Sequence, residues 1–471
     1  IVENHLELKK QLEDLGYKFI SDTDTEVIVR LIEHELTIQP KLIDALQKAF
    51  FRLTGRNTVI ILDNLESELL AIRNGSPLVI GKTADGYILS SDTLSFADLA
   101  NQVLVVENGQ LVRANQTLEV FDITTHKKID PQFSPVQILV TDTDLSQFPH
   151  YMLKEIHDTP QVLNTQSQIT QKDFAGLVTA IKKARHVFTI GSGTAGIAAS
   201  LIAYYLRSVA HINATSLVGA DCADYYQYFT KDAILIAPSQ SGETADVIEV
   251  LEIAKKQGAQ IASLVNMPGS MITRMSDFPF MAGAGPEICV MSTKVFIAQI
   301  AWGYLLAHSV AGSHTQGQAL LTSLSSAVHT YLKDKKVQSS LVSQAKKLAR
   351  LDHLFILGRG SGYYIARETM VKFTEGAYIH TSAIPAGDLK HYAITLMQPD
   401  VQVITIGPLP NASEQVTTRG ASVLQIDSPL LDDPSFIGHI IPPQLLAYYT
   451  AKTLGHNIDK PRNIAKSVTV K

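Results

Sequence analysis

Hydrophobic and polar positions follow two different periods in the first third of the chain. Residues 6–15 have helical spacing and end at Gly16, a residue type that often terminates helices, and a second amphipathic helix is predicted to begin within 23–26. The period then changes to two, which is typical of half-buried strands, in short runs at 58–63, 68–73, 77–81, 87–92 and 103–112. Residues 1–135 are therefore predicted to form an α+β unit with antiparallel strands.

After a polar, proline-containing stretch at 126–149, strand-like and helical runs alternate. Apolar strand-like runs at 187–191, 233–238 and 261–266 alternate with helical runs at 197–208 and 243–257, which predicts a parallel, doubly wound sheet. The pattern then repeats, since VFTIGSGTAG resembles the later LFILGRGSGY and AILIAP has a counterpart in VQVITIGP. Ordered matches over two strands predict two related α/β units.

Composition and charge exclude several classes of protein. The chain has 45% hydrophobic and 18% charged residues, which excludes a long disordered protein, and its net charge of -5 gives no support for a nucleic-acid binder. Cys222 and Cys289 are its two cysteines, too few for a disulfide framework, so we expect a reducing, cytoplasmic location. Residues 295–332 carry no Asp, Glu, Lys or Arg, but polar residues such as Gln299 and His308 interrupt the run. A buried helix is therefore expected there rather than a membrane span.

Two loops that follow strands contain candidate phosphate-binding residues. The sequence SQSGET at 239–244 joins a strand to a helix, where free backbone N–H groups, three hydroxyls and an amide can surround a phosphate while Gly242 permits close approach. No Lys or Arg lies in it, which favours a sugar phosphate over a nucleoside triphosphate; an ordinary serine-rich helix cap is the alternative. Gly191, Gly193 and Gly196 have the spacing of a dinucleotide-binding loop, but no acidic residue ends the next strand, which disfavours NAD.

Further titratable residues permit two interpretations each. Lys372 and Glu375 share a helix face, either as a surface ion pair or as a carboxylate base with a neighbouring ammonium. His380 and His391 are solvated loop residues or, near a sugar, groups that can open its ring; their spacing excludes a metal site. Lys466 is either a solvated charge or an amine that attacks a ketose carbonyl.

Four motifs together resemble one family. They are SQSGETAD (239–246), GPEICVMSTK (285–294), YIHTSAIPAGDLKH (378–391) and DKPRNIAKSVTV (459–470). The chain resembles the glutamine–fructose-6-phosphate aminotransferases (isomerizing), also called glucosamine-6-phosphate synthases, over nearly its whole length.

The resemblance implies a domain organisation. It implies a partial α+β N-terminal-nucleophile glutaminase domain at 1–135 and a linker at 136–160. Two doubly wound sugar isomerase (SIS) domains with parallel sheets would follow, at 161–325 and 326–458, and a tail at 459–471 would contribute to the active site.

The resemblance also implies roles for individual residues. Glu375 would move a proton between two sugar carbons with help from Lys372, and Lys466 would form an imine with fructose 6-phosphate. His391, reaching a neighbouring subunit, would open the sugar ring. The residues implied to bind the substrate are Thr194, Ser239, Gln240, Ser241, Thr244, Val290, Ser292 and Ala465. The implied product is glucosamine 6-phosphate, made by a homodimer without metal or organic cofactor.

The sequence departs from the family pattern in both halves. No cysteine precedes Cys222, and the chain opens inside the glutaminase domain, so Asp24 is interpreted as a remnant of the glutamine site. Either the sequence is a fragment of a longer protein, or the protein has lost the use of glutamine; for the chain as given we expect no use of glutamine, with ammonia as the nitrogen donor or isomerisation alone. Ala195 replaces a phosphate-binding serine, and Tyr392 follows His391 where the family has glycine. The alternatives are a related SIS isomerase or deglycase for another phosphosugar, and a phosphosugar-binding protein without catalysis.

Overall fold

The computed structural model describes residues 2–63, 67–96, 98–136, 144–219 and 221–466. The described chain forms two compact units, one made of the residues up to 136 together with Glu243–Asp246, and the other made of residues 144–242 and 247–466. The elements of the first unit are α1 (His5–Asp14), α2 (Asp24–Leu36), α3 (Leu42–Arg52), β1 (Asn57–Asp63), β2 (Glu68–Asn74), β3 (Val79–Lys82), β4 (Tyr87–Ser90), β5 (Gln102–Val105), β6 (Gln110–Ala114), β7 (Leu118–Asp122), β8 (Lys128–Ile129) and β9 (Ser134–Pro135).

The first unit has a helical layer and two antiparallel sheets, ordered β1-β2-β6-β7-β8 and β4-β3-β5-β9. The alternating side chains of β2 explain this layering. Leu70 and Ile72 belong to the core that contains the helix residue Leu46, whereas Ala71 packs on the opposite face with Ile80 of the other sheet. The predicted α+β unit with antiparallel strands is confirmed.

The run 103–112 contains a turn at Gly109, which has a φ of 76°, and its two parts join different sheets as β5 and β6. The predictions for the stretches that follow were wrong. The polar stretch after residue 126 contributes β8 and β9 to the two sheet edges. The end of the predicted linker 136–160 is helical and buries Met152 and Ile156.

The second unit contains the helices and strands of both predicted α/β repeats. They are α4 (Tyr151–His157), α5 (Thr159–Ser167), α6 (Ala175–Lys183), β10 (His186–Gly191), α7 (Gly193–Ser208), β11 (Ala214–Val218), β12 (Ala233–Ser239), α8 (Ala245–Lys256), β13 (Gln260–Val265), α9 (Met271–Met275), β14 (Phe278–Met281), α10 (Lys294–Ala311), α11 (His314–Lys333), α12 (Lys335–Leu348), β15 (His353–Gly358), α13 (Ser361–Lys372), β16 (His380–Pro385), β17 (Gln402–Ile406), α14 (Pro410–Thr417), β18 (Ser422–Ile426) and α15 (Ile441–Leu454).

Both sheets of this unit are parallel and doubly wound, as predicted. Their strand orders are β11-β10-β12-β13-β14 and β16-β15-β17-β18, so in each the first strand lies between the second and the third. In such sheets, ligands bind outside the carboxyl ends of the strands where the winding direction reverses. That position lies beside β10 in one sheet and beside β15 in the other.

The repeated glycines have the same structural role in both halves. A Cβ atom on Gly191 would lie 2.7 Å from the carbonyl oxygen of Ala195, so only glycine lets α7 begin this close to β10. Gly358 stands in the same relation to α13. Gly193 and Gly360 have nearly identical positive φ angles of 57° and 56°. The shared backbone geometry supports the repeat inferred from the sequence.

A single hydrophobic core joins the two repeats. Ile234 of β12 and Ile356 of β15 belong to it, whereas their sequence neighbours Leu235 and Phe355 face separate outer cores. The helix α10 lies within the shared core and is buried from its first residue to Val310. The expectation of a buried helix there is confirmed. None of the helices in the described ranges combines the length and the apolar character that a membrane span requires.

Candidate active site

The SQSGET segment forms a tight turn between β12 and α8. The buried hydroxyl of Ser239 accepts a hydrogen bond from the backbone N–H of Gly242 at 2.9 Å. Gly242 has a φ of 68°, and a Cβ atom there would collide with the side chain of Ser270. The other polar residues of the turn, all partly exposed, are Gln240, Ser241, Glu243 and Thr244. The turn thus combines a fixed backbone with accessible polar side chains.

Thr194 lies in the first turn of α7, directly after β10. Because β10 and β12 are neighbouring parallel strands, the loop that contains Thr194 and the turn that contains Ser239 leave the sheet at the same edge. The hydroxyl of Thr194 donates a hydrogen bond to Oε1 of Glu368 at 3.1 Å. Thr194 therefore connects this edge of the sheet with α13 of the second repeat.

A buried ion-pair network lies at the end of α13. The Nζ atom of Lys372 is 3.2 Å from Oε1 of Glu368 and 3.2 Å from Oε2 of Glu375, and it donates to the Thr194 hydroxyl at 3.4 Å. Glu368 and Lys372 are fully buried, whereas the side chain of Glu375 is 31% exposed. Glu375 lies in a π-helical turn, Phe373–Ala377, an irregularity that is frequent at functional sites.

Burial and charge perturb the pKa values of this network. Burial raises the pKa of Glu368 to about 7; Lys372 opposes this shift, and Glu375 adds to it. Oε2 of Glu368 is buried and has no hydrogen-bond partner among the described residues. Burial lowers the pKa of Lys372, but the two carboxylates outweigh it, so this pKa lies above its ordinary value. The network can therefore hold an exchangeable proton near neutral pH beside the partly exposed Glu375.

Lys466 is held by a second buried carboxylate. Its Nζ atom donates to Oε2 of Glu287 at 2.7 Å and to the carbonyl oxygen of Cys289 at 2.6 Å. The side chain of Glu287 is fully buried, and that of Lys466 is 25% exposed. Oε1 of Glu287 accepts hydrogen bonds from the backbone N–H of Thr293 at 2.8 Å, from that of Val295 at 3.1 Å and from the hydroxyl of Ser292 at 3.3 Å. Glu287 is thus a rigid anchor for an amine that solvent can reach.

A third buried carboxylate, Glu155, lies beside this pair. Its Oε1 accepts the backbone N–H groups of Ile288 and Cys289 at 2.5 Å and 3.1 Å. Burial, followed by the charge of Glu287, raises the pKa of Glu155 to about 8. Burial also raises the pKa of Glu287, but Lys466 and backbone N–H groups outweigh it and lower this pKa overall. Glu287 therefore carries the negative charge of the cluster, and Glu155 holds a proton at neutral pH.

One segment, 285–294, links these groups. The backbone N–H of Asn266 donates to the carbonyl oxygen of Ser239 at 3.3 Å, and its side chain donates to that of Gly285 at 2.8 Å. Further along the segment, a Cβ atom on Gly376 would lie 3.0 Å from the sulfur of Met291, so the segment packs closely on the π-helical turn. The SQSGET turn, the anchor of Lys466 and the turn of Glu375 are therefore joined through consecutive contacts.

Four predicted residues form no hydrogen bond with these groups in the described chain. His391 is exposed, and its side chain forms no hydrogen bond with the described chain. Ala465 is also exposed. Val290 is partly exposed, and its backbone N–H donates to the carbonyl oxygen of Asp459 at 3.0 Å. Asp24 begins α2 of the first unit, where its carboxylate accepts the backbone N–H of Val2 at 2.7 Å. In the described ranges, no three His, Cys, Asp or Glu side chains form a group suited to a metal ion.

Comparisons with known proteins identify the family. Residues 180–309 and 347–428 match the SIS domain, and residues 1–98 match a glutamine amidotransferase domain. The glutamine–fructose-6-phosphate aminotransferase (isomerizing) of Haemophilus influenzae is 32% identical over 513 aligned residues, which cover 100% of this chain and 83% of that protein. The protein of the same name from Vibrio cholerae is 33% identical over 511 residues, with equal coverage. The chain belongs to the glutamine–fructose-6-phosphate aminotransferase family.

The fold of this chain is also similar to that of a solved structure from the aminotransferase family. The C-terminal domain of glucosamine-fructose-6-phosphate aminotransferase from Francisella tularensis superposes with a TM-score of 0.60 at 25% identity. The match covers 68% of this chain and 100% of that domain. The expected pair of SIS domains after an α+β unit is therefore confirmed.

The geometry excludes the simpler of the two interpretations given above for the Lys372–Glu375 pair and for Lys466. Lys372 and Glu375 are not a surface ion pair, because Lys372 is fully buried and shared with Glu368. Lys466 is not a solvated charge, because its amine is bound to the buried Glu287.

Sequence reasoning missed the three buried carboxylates, although each had a local signal. Glu368 precedes Lys372 by four positions on α13 and so shares its helix face. Glu287 is a lone acidic residue in the apolar context of GPEICVMSTK. Glu155 lies on the buried face of α4 together with Ile156. A charged residue flanked by core positions was the signal common to the last two.

Proposed function

We propose that this protein converts fructose 6-phosphate to glucosamine 6-phosphate, with ammonia or glutamine as the source of nitrogen. The observation that carries this proposal is that two different reactive groups, an amine and a carboxylate, both lie next to the segment 285–294. Lys466 supplies an amine anchored by Glu287, and Glu375 supplies a partly exposed carboxylate beside a buried ammonium. A phosphosugar-binding protein without catalysis needs neither group.

The substrate would be held by its phosphate at the SQSGET turn. The accessible side chains of Gln240, Ser241 and Thr244, with Thr194 from the neighbouring loop, can donate hydrogen bonds to phosphate oxygens. In the proposed reaction, His391 of a second subunit opens the sugar ring. The exposure of His391 and its lack of hydrogen bonds in the described chain support a homodimer in which it acts across the interface.

The chemistry then needs an imine and a proton shift. Lys466, after loss of its proton, attacks the C2 carbonyl of the open ketose, and the carbonyl oxygen leaves as water. Ammonia displaces the lysine, so that its nitrogen remains on C2. Glu375 then removes a proton from C1 and returns a proton to C2, while the C1 hydroxyl loses its proton and the imine nitrogen gains one, which gives the aldehyde of glucosamine 6-phosphate. The ammonium of Lys372, 3.2 Å away, would fix the position of the Glu375 carboxylate through both transfers.

The compartment that we propose is the cytoplasm. Cys222 and Cys289 are both free and buried, which is compatible with its reducing conditions.

The test supplies fructose 6-phosphate with an ammonium salt, because ammonium bypasses glutamine hydrolysis, and separates the products by chromatography. We expect glucosamine 6-phosphate from the unaltered protein and no product from Glu375→Gln, which should still bind fructose 6-phosphate. Glu252→Gln, the same change at a partly exposed position of α8, is the matched control. Glucose 6-phosphate without amino sugar would instead indicate an isomerase, and unchanged turnover of Glu375→Gln would remove Glu375 from its role.

A further inference from the structure

A second cavity lies at the carboxyl edge of the other parallel sheet. It has a volume of about 460 Å³ and is lined by the loops that follow β15, β16 and β17 and by the start of α14. Polar lining residues are Arg359, Lys390, Asn411 and Gln415. The volume lies within the range of small-molecule sites, which is roughly 300–1,000 Å³.

The cavity carries two cations without a counter-charge. Arg359 and Lys390 are both exposed, and neither forms an ion pair or side-chain hydrogen bond with any residue in the described ranges. No carboxylate lines the cavity. Two unpaired positive side chains at one concave surface attract anions, and a planar guanidinium can bind a phosphate through two parallel hydrogen bonds.

The fold places this cavity at the counterpart of the SQSGET turn. β17 pairs with β15 in parallel, as β12 pairs with β10, so the loop after β17 corresponds to the loop after β12. That loop, GPLPNA at 407–412, has no hydroxyl side chains and begins α14 with Pro410. In this repeat the loop after β17 therefore lacks the neutral hydroxyl donors of the first repeat, and Arg359 and Lys390, from the loops after β15 and β16, line the cavity beside it.

We propose that this cavity is a second binding site, for a small phosphorylated molecule. The phosphate lies between the guanidinium of Arg359 and the ammonium of Lys390. The amides of Asn411 and Gln415 face the remaining polar groups of the ligand. The site is separate from the proposed catalytic site and uses none of its residues.

The test counts phosphate sites on the full chain. Equilibrium dialysis with inorganic phosphate, and separately with fructose 6-phosphate, should give two sites per chain. Arg359→Gln combined with Lys390→Gln should weaken one site by about tenfold or more, because two charge-assisted contacts are lost. Ser241→Ala combined with Thr244→Ala should weaken only the other site. Lys347→Gln, an equal loss of charge on the surface of α12, should leave both sites unchanged.

Three outcomes would overturn the proposal. These are one site per chain, loss of all binding in Ser241→Ala/Thr244→Ala, and unaltered binding in Arg359→Gln/Lys390→Gln. If Arg359→Gln/Lys390→Gln retains the first site, that variant is folded. If that variant does not fold, Asn411→Asp takes its place, because it adds a repelling charge at an exposed position and should weaken the second site. A single site together with normal formation of glucosamine 6-phosphate would refute the second site and leave the proposed function intact.

Discussion

The substitution Glu368→Gln tests the electrostatics at the end of α13. Glu368 is fully buried, and its Oε1 accepts hydrogen bonds from Thr194 and Lys372, whereas its Oε2 has no partner in the described chain. Glutamine has the same shape, and its carbonyl oxygen can accept both hydrogen bonds. Its amide nitrogen takes the place of the unpartnered oxygen. The substitution therefore removes the ionisation and keeps the packing.

The expected magnitude follows from the pKa. Burial raises the pKa of Glu368 from 4.5 to about 7, which corresponds to roughly 3 kcal/mol at 1.36 kcal/mol per unit. Between these two values the folded protein keeps a proton that the unfolded chain releases, so the free energy of unfolding falls as the pH rises. Glu368→Gln lacks this loss. For a unit of roughly 320 residues, 3 kcal/mol is a change in Tm of about 5 °C.

Calorimetric unfolding of the two proteins between pH 4 and pH 8 provides the measurement. The Tm of the unaltered protein minus that of Glu368→Gln should fall by about 5 °C across this range, with most of the change between pH 5 and pH 7. Glu252→Gln, which removes a carboxylate from a partly exposed position of α8, should show no such trend. A difference in Tm that stays constant with pH would show that Glu368 ionises alike in both states and would refute the reasoning.

Two other substitutions address the turn and the amine. Gly242→Ala should raise the KM for fructose 6-phosphate at least about tenfold, because a Cβ atom there collides with Ser270. Gly258→Ala, at a φ of 90° with no close neighbour, tests the backbone strain alone. Steady-state kinetics measure both variants, and equal effects on KM would contradict the collision. Glu287→Gln should lower kcat about 30-fold, equivalent to about 2 kcal/mol, because Lys466 loses a charge-assisted hydrogen bond. Borohydride trapping should then recover less sugar on Lys466, and undiminished trapping would argue against this anchor.

The pattern of apolar positions predicted the sheets well, because alternation reports which face of a strand is buried. It failed where pairing partners define the strand. The short strands β8 and β9 have two residues each and depend on their neighbours in the sheets.

The active-site residues show the same division between local and tertiary information. The three-residue spacing of Lys372 and Glu375 indicated that they share a helix face, and the structure has them 3.2 Å apart. Their burial depends on distant parts of the chain, since Thr194, which contacts Lys372, lies 178 residues earlier. No local pattern reports such a contact, so the perturbed pKa of Glu368 could not be foreseen.

The common core around α10 has a consequence for how this duplicated architecture can be divided. Although the sequence reads as two copies, the inward faces of both sheets, with Ile234 on one and Ile356 on the other, are covered by the same side chains. A polypeptide that ended between the two repeats would expose one of these faces to water as a large apolar surface, and it would aggregate rather than fold. The ancestral copies have lost their independence, and recombination can exchange them only as a pair.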